Sequence, residues 1–309
     1  MVDGDVAGDR VAAAHDLAQI VSPSTAVLVL DGADGPRNDP YRLVGRMPGV
    51  DADAVVLVAP RRRGPRRLSP GPVVDGRPVA LVQADRPTDL AHELPDPDDT
   101  APWVIAAMAK NVFLEATNDW AARLRTGGHN VVDLRADRAR RGDLVEGLRS
   151  GPRVVLYAGH GRPHGWAGYQ ALRFHHLATD VDGTEEHTAT ATGSTDTHRD
   201  VGENPRAAGL VIAFACDTLG RAHNQWPFGV RLVESGLVRA YLGPASAVLT
   251  ADATALSIIV IDILASDHPS TVTSLVSAIE RATATDASAR RAWQTFRLVG
   301  APDTVIASS

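Results

Sequence analysis

Seven short runs of β-branched and other apolar residues constrain the fold of this chain more than any other feature of its sequence. Most of them are apolar at nearly every position, as strands are when helices cover both faces of a parallel sheet. Runs of this length and composition are typical of buried strands. We predict strands at residues 26–30, 54–59, 79–82, 131–134, 153–158, 210–215 and 238–242.

Helical patterns lie between many of these runs and indicate how the chain is organised. We predict helices at residues 103–125, 138–149, 226–235, 251–265 and 270–282. From residue 131 onward strands and helices alternate, which predicts repeated βαβ units around a parallel-rich sheet. Residues 1–95 are predicted to form a smaller N-terminal α/β region, and residues 96–309 the main domain.

Charge and cysteine content argue against several classes of function. The chain has 31 basic and 37 acidic residues, so we expect no basic surface that binds nucleic acid. Its acidic N-terminus is unlike a signal peptide, and no apolar run approaches the roughly 18 residues that span a bilayer. We therefore expect a cytoplasmic protein with no membrane partner. A single cysteine, Cys216, excludes an internal disulfide and a cysteine-rich metal site, and we expect no cofactor and no metal.

Two predicted strands each run into a residue that can take part in nucleophilic catalysis. His160, with a glycine on either side, follows the strand at 153–158, and Cys216 follows the strand at 210–215. Reactive groups gather at the carboxyl ends of strands in open parallel sheets, so neighbouring strands would bring these side chains together. An imidazole can take the thiol proton, and the backbone N–H groups of Gly161 and Cys216 are candidate donors to an oxyanion.

Each of these residues also has an ordinary structural interpretation. A lone cysteine at a strand end is more often a small buried side chain, and a lone histidine there is more often a hydrogen-bonded one. The pairing of two such strand ends favours catalysis. Residues 179–205, which lie between them, are a polar tract with hardly a large apolar side chain, and this composition predicts a mobile loop.

At these residues the chain resembles the caspase-like superfamily of cysteine peptidases, more closely its gingipain-like branch and next its CHAT-type domains. Four segments carry the resemblance: YAGHG followed by Trp166, FACDT, AYLGPASA and FRLVGAPD, at residues 157–161, 214–218, 240–247 and 296–303. The resemblance as a whole covers about residues 100–306. In the last segment Ala301 stands where the family usually has aspartate.

The resemblance implies a caspase-like three-layer α/β sandwich and a cysteine endopeptidase that hydrolyses peptide bonds through an acyl-enzyme. It implies that Cys216 is the nucleophile, that His160 is the general acid or base, and that the backbone N–H groups of Gly161 and Cys216 form the oxyanion hole. Family members often cleave after arginine, lysine or aspartate. Candidate substrate-binding residues near the two strand ends are Trp166, Asp217, Ser246 and Asp252, with Asp180 and Asp182 as further acids that could meet a basic side chain.

Other functions stay open from the sequence alone. A non-catalytic interaction module could keep the fold and bind a partner through residues 179–205. A cysteine amidase or acyl transferase could use the same dyad on a small molecule. The peptidase interpretation predicts a protein or peptide substrate, and the large polar loop favours an enzyme that is gated or activated by a protein partner.

Overall fold

The computed structural model describes residues 25–29, 52–59, 72–83, 100–108, 110–135, 141–167, 172–173, 206–220, 227–266 and 269–307. One segment that the sequence singled out lies outside these residues, the polar tract at 179–205 with Asp180 and Asp182.

The described strands form one ten-stranded sheet and one three-stranded sheet. The strands of the large sheet are β1 (Thr25–Val29), β2 (Ala54–Ala59), β3 (Val73–Val74), β4 (Arg77–Gln83), β5 (Trp103–Ala107), β6 (Val131–Leu134), β7 (Val154–Ala158), β11 (Ala208–Phe214), β12 (Val238–Pro244) and β13 (Phe296–Gly300). The strands of the small sheet are β8 (His160–Arg162), β9 (Gly165–Ala167) and β10 (Leu172–Arg173).

The large sheet has two parallel halves that run in opposite directions. Its main path has the order β1-β2-β4-β13-β12-β11-β7-β5-β6, and the short β3 pairs antiparallel with β4. Pairing along the path is parallel except between β12 and β13, which are antiparallel. The carboxyl ends of β5, β7, β11 and β12 therefore lie along the same edge of the sheet.

Helices cover both faces of this sheet. They are α1 (Asn111–Thr126), α2 (Arg141–Arg149), α3 (Phe228–Glu234), α4 (Thr250–Ser266), α5 (Val272–Thr283) and α6 (Ala287–Trp293). Buried side chains of α1, α4, α5 and α6 pack into the core on one face of the sheet, and those of α2 and α3 pack into the core on the other face. Successive residues of β7 enter opposite cores, for example Val155 and Leu156. The predicted α/β sandwich of three layers is confirmed.

The predicted helix at residues 103–125 is wrong in its first part. Residues 103–107 form β5, a central strand whose five residues are all buried, and only Asn111–Thr126 is helical. A short apolar run cannot be told from a buried helix by periodicity alone. Here no glycine or proline separates the strand from the helix that follows, so the two patterns merge in the sequence.

Two C-terminal elements were absent from the predicted set. One is α6, whose N-cap Asp286 accepts a hydrogen bond from the Ala289 N–H at 2.9 Å. The other is β13, which joins the two halves of the sheet by pairing with β12 on one side and β4 on the other. Because β4 pairs in parallel with β13, hydrogen bonding continues across the predicted boundary at residue 95. The division into two regions stays a prediction.

Among the residues that the structure describes, no helix is long and apolar enough to cross a bilayer.

Candidate active site

The ends of β7 and β11 bring His160 and Cys216 to one place. These strands are parallel neighbours in a register that pairs Ala158 with Phe214. His160 lies two positions after Ala158, and Cys216 lies two positions after Phe214. Both residues therefore follow the sheet at the same edge and at the same level. The Gly159 N–H also donates to the Phe214 carbonyl at 3.4 Å, which extends the contact beyond the strands.

Gly161 packs directly against the backbone that carries the thiol. A Cβ atom at this position would lie 2.3 Å from the Cys216 carbonyl oxygen and 2.9 Å from the Ala215 carbonyl carbon. Only glycine allows this approach, because any side chain would occupy the space of the neighbouring backbone. Gly161 belongs to β8 of the small sheet, so the same contact holds that sheet against the segment after β11.

The His160 side chain is positioned by the segment that connects β5 to α1. The Lys110 ammonium lies 3.2 Å from Nε2 of the ring, and the Phe113 ring meets the imidazole edge-on at a centroid distance of 5.2 Å. The His160 backbone N–H points to the Met108 sulfur at 3.0 Å. These contacts arise because β5 pairs in parallel with β7, which places the residues after Ala107 beside those after Ala158.

Electrostatics favour a neutral His160 ring. Partial desolvation lowers the pKa of His160, and the nearby charge of Lys110 lowers the pKa further, because both disfavour a second positive charge at this place. An ammonium group can only donate hydrogen bonds, so Nε2 acts as the acceptor and the ring proton lies on Nδ1. A neutral imidazole is the form that can accept a proton.

The Cys216 thiol is held by the segment between β12 and α4. The Val248 N–H donates to Sγ at 3.3 Å, and the thiol is 3.5 Å from the Val248 carbonyl oxygen. In this structure each member of the pair is bonded to its own neighbour, Cys216 to Val248 and His160 to Lys110, and no hydrogen bond joins the two side chains directly.

His160 and Cys216 line the same open pocket. The pocket lies above the carboxyl ends of β7 and β11, between α1 and α4. The other residues that line it are Val112, Phe113, Ala116, Trp120, Ala158, Gly159, Phe214, Ala215, Pro244, Val248, Thr250, Ala253, Thr254, Ser257 and Phe296.

Trp166, a predicted substrate-binding residue, is buried in the core below the small sheet. Only 2% of it is exposed, its ring stacks on Tyr157 at 4.1 Å, and its indole N–H donates to the Tyr241 hydroxyl at 3.3 Å. It is not among the residues that line the pocket. The side chain faces the core because its position in β9 directs it toward the sheet, so it supports the strand that carries His160 from beneath.

Asp217 and Ser246, two other predicted substrate-binding residues, shape the turn that follows Cys216. Asp217 adopts a φ of 58°, in the left-handed region that aspartate tolerates better than most residues. Its N–H donates to the Ser246 carbonyl at 3.3 Å, and its own carbonyl accepts from the Gly220 N–H at 2.8 Å. Neither residue is among those that line the pocket.

Asp252, the fourth predicted substrate-binding residue, is paired with an arginine of α6. Arg291 donates two hydrogen bonds to its carboxylate, at 3.0 and 2.8 Å. This pairing lowers the pKa of Asp252 below its ordinary value. Only 5% of Asp252 is exposed, so its carboxylate is committed to joining the first turn of α4 to α6.

Two contributors to the site were missed from the sequence. Lys110 is the only lysine in the chain, but the helix predicted across residues 103–125 hid the strand end that carries it to His160. Val248 contributes through its backbone, and no residue type is required for a backbone N–H. A correct assignment of β5 would have found the first, and no sequence signal was available for the second.

Comparisons with known proteins show the fold. No protein-family model matches the chain, and no curated protein is similar to it in sequence. The structure is similar to that of the Arg-specific cysteine proteinase gingipain R, with a TM-score of 0.67 and 13% identity over 91% of this chain and 77% of that chain. A complex of the pro- and mature domains of the Porphyromonas gingivalis enzyme matches with a TM-score of 0.63 and 14% identity, over 94% of this chain and 72% of that one.

A more distant match has the same central architecture. Separase in the Saccharomyces cerevisiae separase–securin complex matches with a TM-score of 0.53 and 10% identity, over 82% of this chain and 16% of the much longer separase. At these identities the likeness shows the fold alone. The order and direction of the strands, the helices on both faces and these matches together show that the chain has the caspase-like α/β fold of gingipain R and separase, as its sequence motifs predicted.

Proposed function

We propose that this protein is a cysteine endopeptidase that acts on protein or peptide substrates with Cys216 as nucleophile and His160 as its proton acceptor. The observation that carries the proposal is that both side chains line one open pocket at the carboxyl edge of a caspase-like sheet. Side chains at this edge are well placed for catalysis because they leave rigid strands. The similarity of the fold to those of gingipain R and separase favours peptide-bond hydrolysis by analogy.

In the acylation step, Sγ of Cys216 attacks the carbonyl carbon of the scissile bond, and the thiol proton passes to Nε2 of the His160 ring, which must first release its contact with the Lys110 ammonium. The neutral state of His160 supports this role, since a protonated ring could not accept. The new C–S bond makes a tetrahedral oxyanion. His160 then gives its proton to the leaving amine as the C–N bond breaks, and the acyl group stays on sulfur as a thioester.

The oxyanion is expected to be held by the backbone N–H groups of Cys216 and Gly161. The close packing of Gly161 on the Cys216 backbone supports this assignment, because it places the two backbone segments side by side. Donors that are fixed before the reaction stabilise the developing charge without reorganisation. In the second half of the cycle His160 takes a proton from water, the hydroxide attacks the thioester, and the acid product and thiol are released.

Cleavage of a pooled fluorogenic peptide library tests the proposal. We expect the wild type to cleave, Cys216→Ala to lose all activity, and His160→Ala to lose most of it, since removal of one member of such a pair commonly costs several orders of magnitude. His164→Ala is the matched control, because His164 is an exposed histidine four residues away that does not line the pocket. It should cleave like the wild type.

The assay also separates this proposal from the other functions that the sequence allowed. Turnover of small amides or acyl transfer without peptide cleavage would indicate the amidase or transferase. A protein that neither cleaves nor reacts at Cys216 under any condition, including with cell extract as a source of an activating partner, would contradict an enzymatic function and favour the interaction module.

A further inference from the structure

We propose that the pocket beside Cys216 receives an apolar side chain of the substrate, leucine or methionine, on the acyl side of the bond that is cleaved. This inference rests on the proposed endopeptidase function and names its substrate class. It departs from the arginine, lysine or aspartate that the family resemblance alone would suggest.

The location of the pocket next to Cys216 indicates that it receives the substrate residue on the acyl side of the scissile bond. The residue whose carbonyl carbon bonds to Sγ has its Cβ only two bonds from that carbon, so its side chain must enter space that adjoins the thiol. The pocket adjoins both Cys216 and His160 and lies between α1 and α4. A side chain there would remain in place throughout the life of the thioester, so it is the one that the pocket can select.

The walls of the pocket are apolar along most of their surface. One side is formed by Val112, Phe113, Ala116 and Trp120 of α1, the floor by Phe214, Ala215 and Phe296, and the other side by Val248 and Ala253. The deepest of these are almost fully buried, with Trp120 2% and Phe296 1% exposed. An apolar side chain that enters such a pocket is transferred from water to an apolar environment, which is favourable.

Of the described residues that line the pocket, none is an acid, an arginine or a lysine that could pair with a charged side chain of the substrate. Three hydroxyl side chains line it, those of Thr250, Thr254 and Ser257. The Ser257 hydroxyl is already donated to the Thr254 carbonyl at 2.8 Å, and this serine is 1% exposed. An arginine or aspartate of the substrate would exchange its hydration for uncharged walls, which is costly for an ionised group.

The acid nearest to this pocket on α4 is engaged elsewhere. Asp252 is next to the pocket-lining Ala253 in the sequence, but its carboxylate is held by Arg291 through two hydrogen bonds. Freeing it would leave a nearly buried charge unpaired.

The apolar character also continues outward, because Val112 at the pocket is 46% exposed and Leu249, which follows Val248, is 71% exposed. A substrate that covers exposed apolar side chains of this size removes apolar surface from water, which favours binding.

A panel of peptidyl acyloxymethyl ketones tests the inference. The four probes carry leucine, methionine, arginine or aspartate at the acyl position on the same peptide, and the rate of adduct formation is followed by intact mass. Cys216 is the only cysteine, so each adduct is assigned to it without mapping. We expect the leucine and methionine probes to label at least about 100-fold faster than the arginine and aspartate probes, since a charged group left unpaired in an apolar pocket is strongly rejected.

Substitution of the pocket wall gives an independent test. Thr254→Asp places a carboxylate within the pocket, and we expect labelling by the arginine probe to rise at least about tenfold relative to leucine. Thr254→Asn is the matched control of nearly equal size without charge, and it should keep the wild-type order. If the ratio is the same in both variants, the side chain does not enter this pocket and the inference is overturned.

The outcomes distinguish this inference from the proposed function. Faster labelling by the arginine or aspartate probe would overturn the apolar specificity and leave the peptidase proposal in place. If iodoacetamide alkylates Cys216 but none of the four probes does, the peptidase proposal itself is overturned, and the specificity is overturned with it.

Discussion

A methyl group at Gly161 should disable the site while leaving the fold intact. In Gly161→Ala the new Cβ would lie 2.3 Å from the Cys216 carbonyl oxygen, whereas real Cβ contacts stay above 3.0 Å. The two segments would have to separate by about 0.7 Å or more. Both segments carry the N–H groups that we expect to bind the oxyanion, so the change acts directly on the geometry of the reaction.

The magnitude follows from the displacement. A misplacement of about 1 Å costs on the order of 100-fold in rate, and loss of one oxyanion donor costs a comparable factor. We therefore expect kcat/KM to fall by about 100-fold, which corresponds to about 2.7 kcal/mol of transition-state stabilisation. The fall should appear in kcat, because the pocket that we propose binds the substrate side chain is lined by other residues.

Kinetic assays with a leucine-containing peptide measure the effect, and thermal unfolding shows whether the variant is folded. Gly142→Ala is the matched control, since a Cβ on this exposed glycine of α2 has no atom within 4 Å. It should keep full activity and the same or a slightly higher Tm. A folded Gly161→Ala protein with activity within about threefold of the wild type would refute the role given to this contact.

Three further changes test other parts of the structure. Lys110→Met removes one cause of the low pKa of His160, so the pKa should rise and the acidic limb of the pH–rate profile should move to higher pH. An unchanged NMR titration of the His160 ring would contradict the contact. Asp252→Asn should lower Tm at neutral pH by weakening the pairing with Arg291. Because the pairing lowers the carboxyl pKa, its contribution is present above pH 3.8 and is lost as the pH falls below that value through the folded-state pKa, so the Tm values should converge there. Trp166→Phe keeps an aromatic ring but loses the hydrogen bond to the tyrosine hydroxyl of β12, and chemical denaturation should show a loss of about 1 kcal/mol, against about 3–5 kcal/mol for Trp166→Ala.

Most of the sheet could be predicted because its central strands are buried on both faces, although β6 at the edge is partly exposed. Residues 54–59 and 131–134 are strands at their predicted bounds, and the strands that lead to the site differ from prediction by one or two residues at an end. Central strands need apolar side chains at every position, and such runs are easy to recognise between polar segments. The same uniformity caused the error at β5, where nothing in the composition marks the change from strand to helix.

The proximity of His160 and Cys216 could be predicted because neighbouring parallel strands end at the same edge of a sheet. Once β7 and β11 are taken as neighbours, the residues that follow them must meet, whatever the 55 residues between them do. The surroundings could not be found in this way. Whether Trp166 faces the pocket or the core depends on the register of a three-residue strand. Whether the Asp252 carboxylate is free to bind a substrate depends on its pairing with Arg291, which lies 39 positions later in the chain.

The site unites two functional groups that occur once each among the 309 residues, the amine of Lys110 and the thiol of Cys216. Because the amine contacts the imidazole that shares a pocket with the thiol, acylation of the lysine and alkylation of the cysteine would each report on the same small region. Two reagents of different chemistry, applied separately and in sequence, could therefore show how far occupation of one group protects the other. Such a chemical footprint needs no engineered labels, since at the side-chain level the chain already carries one amine and one thiol.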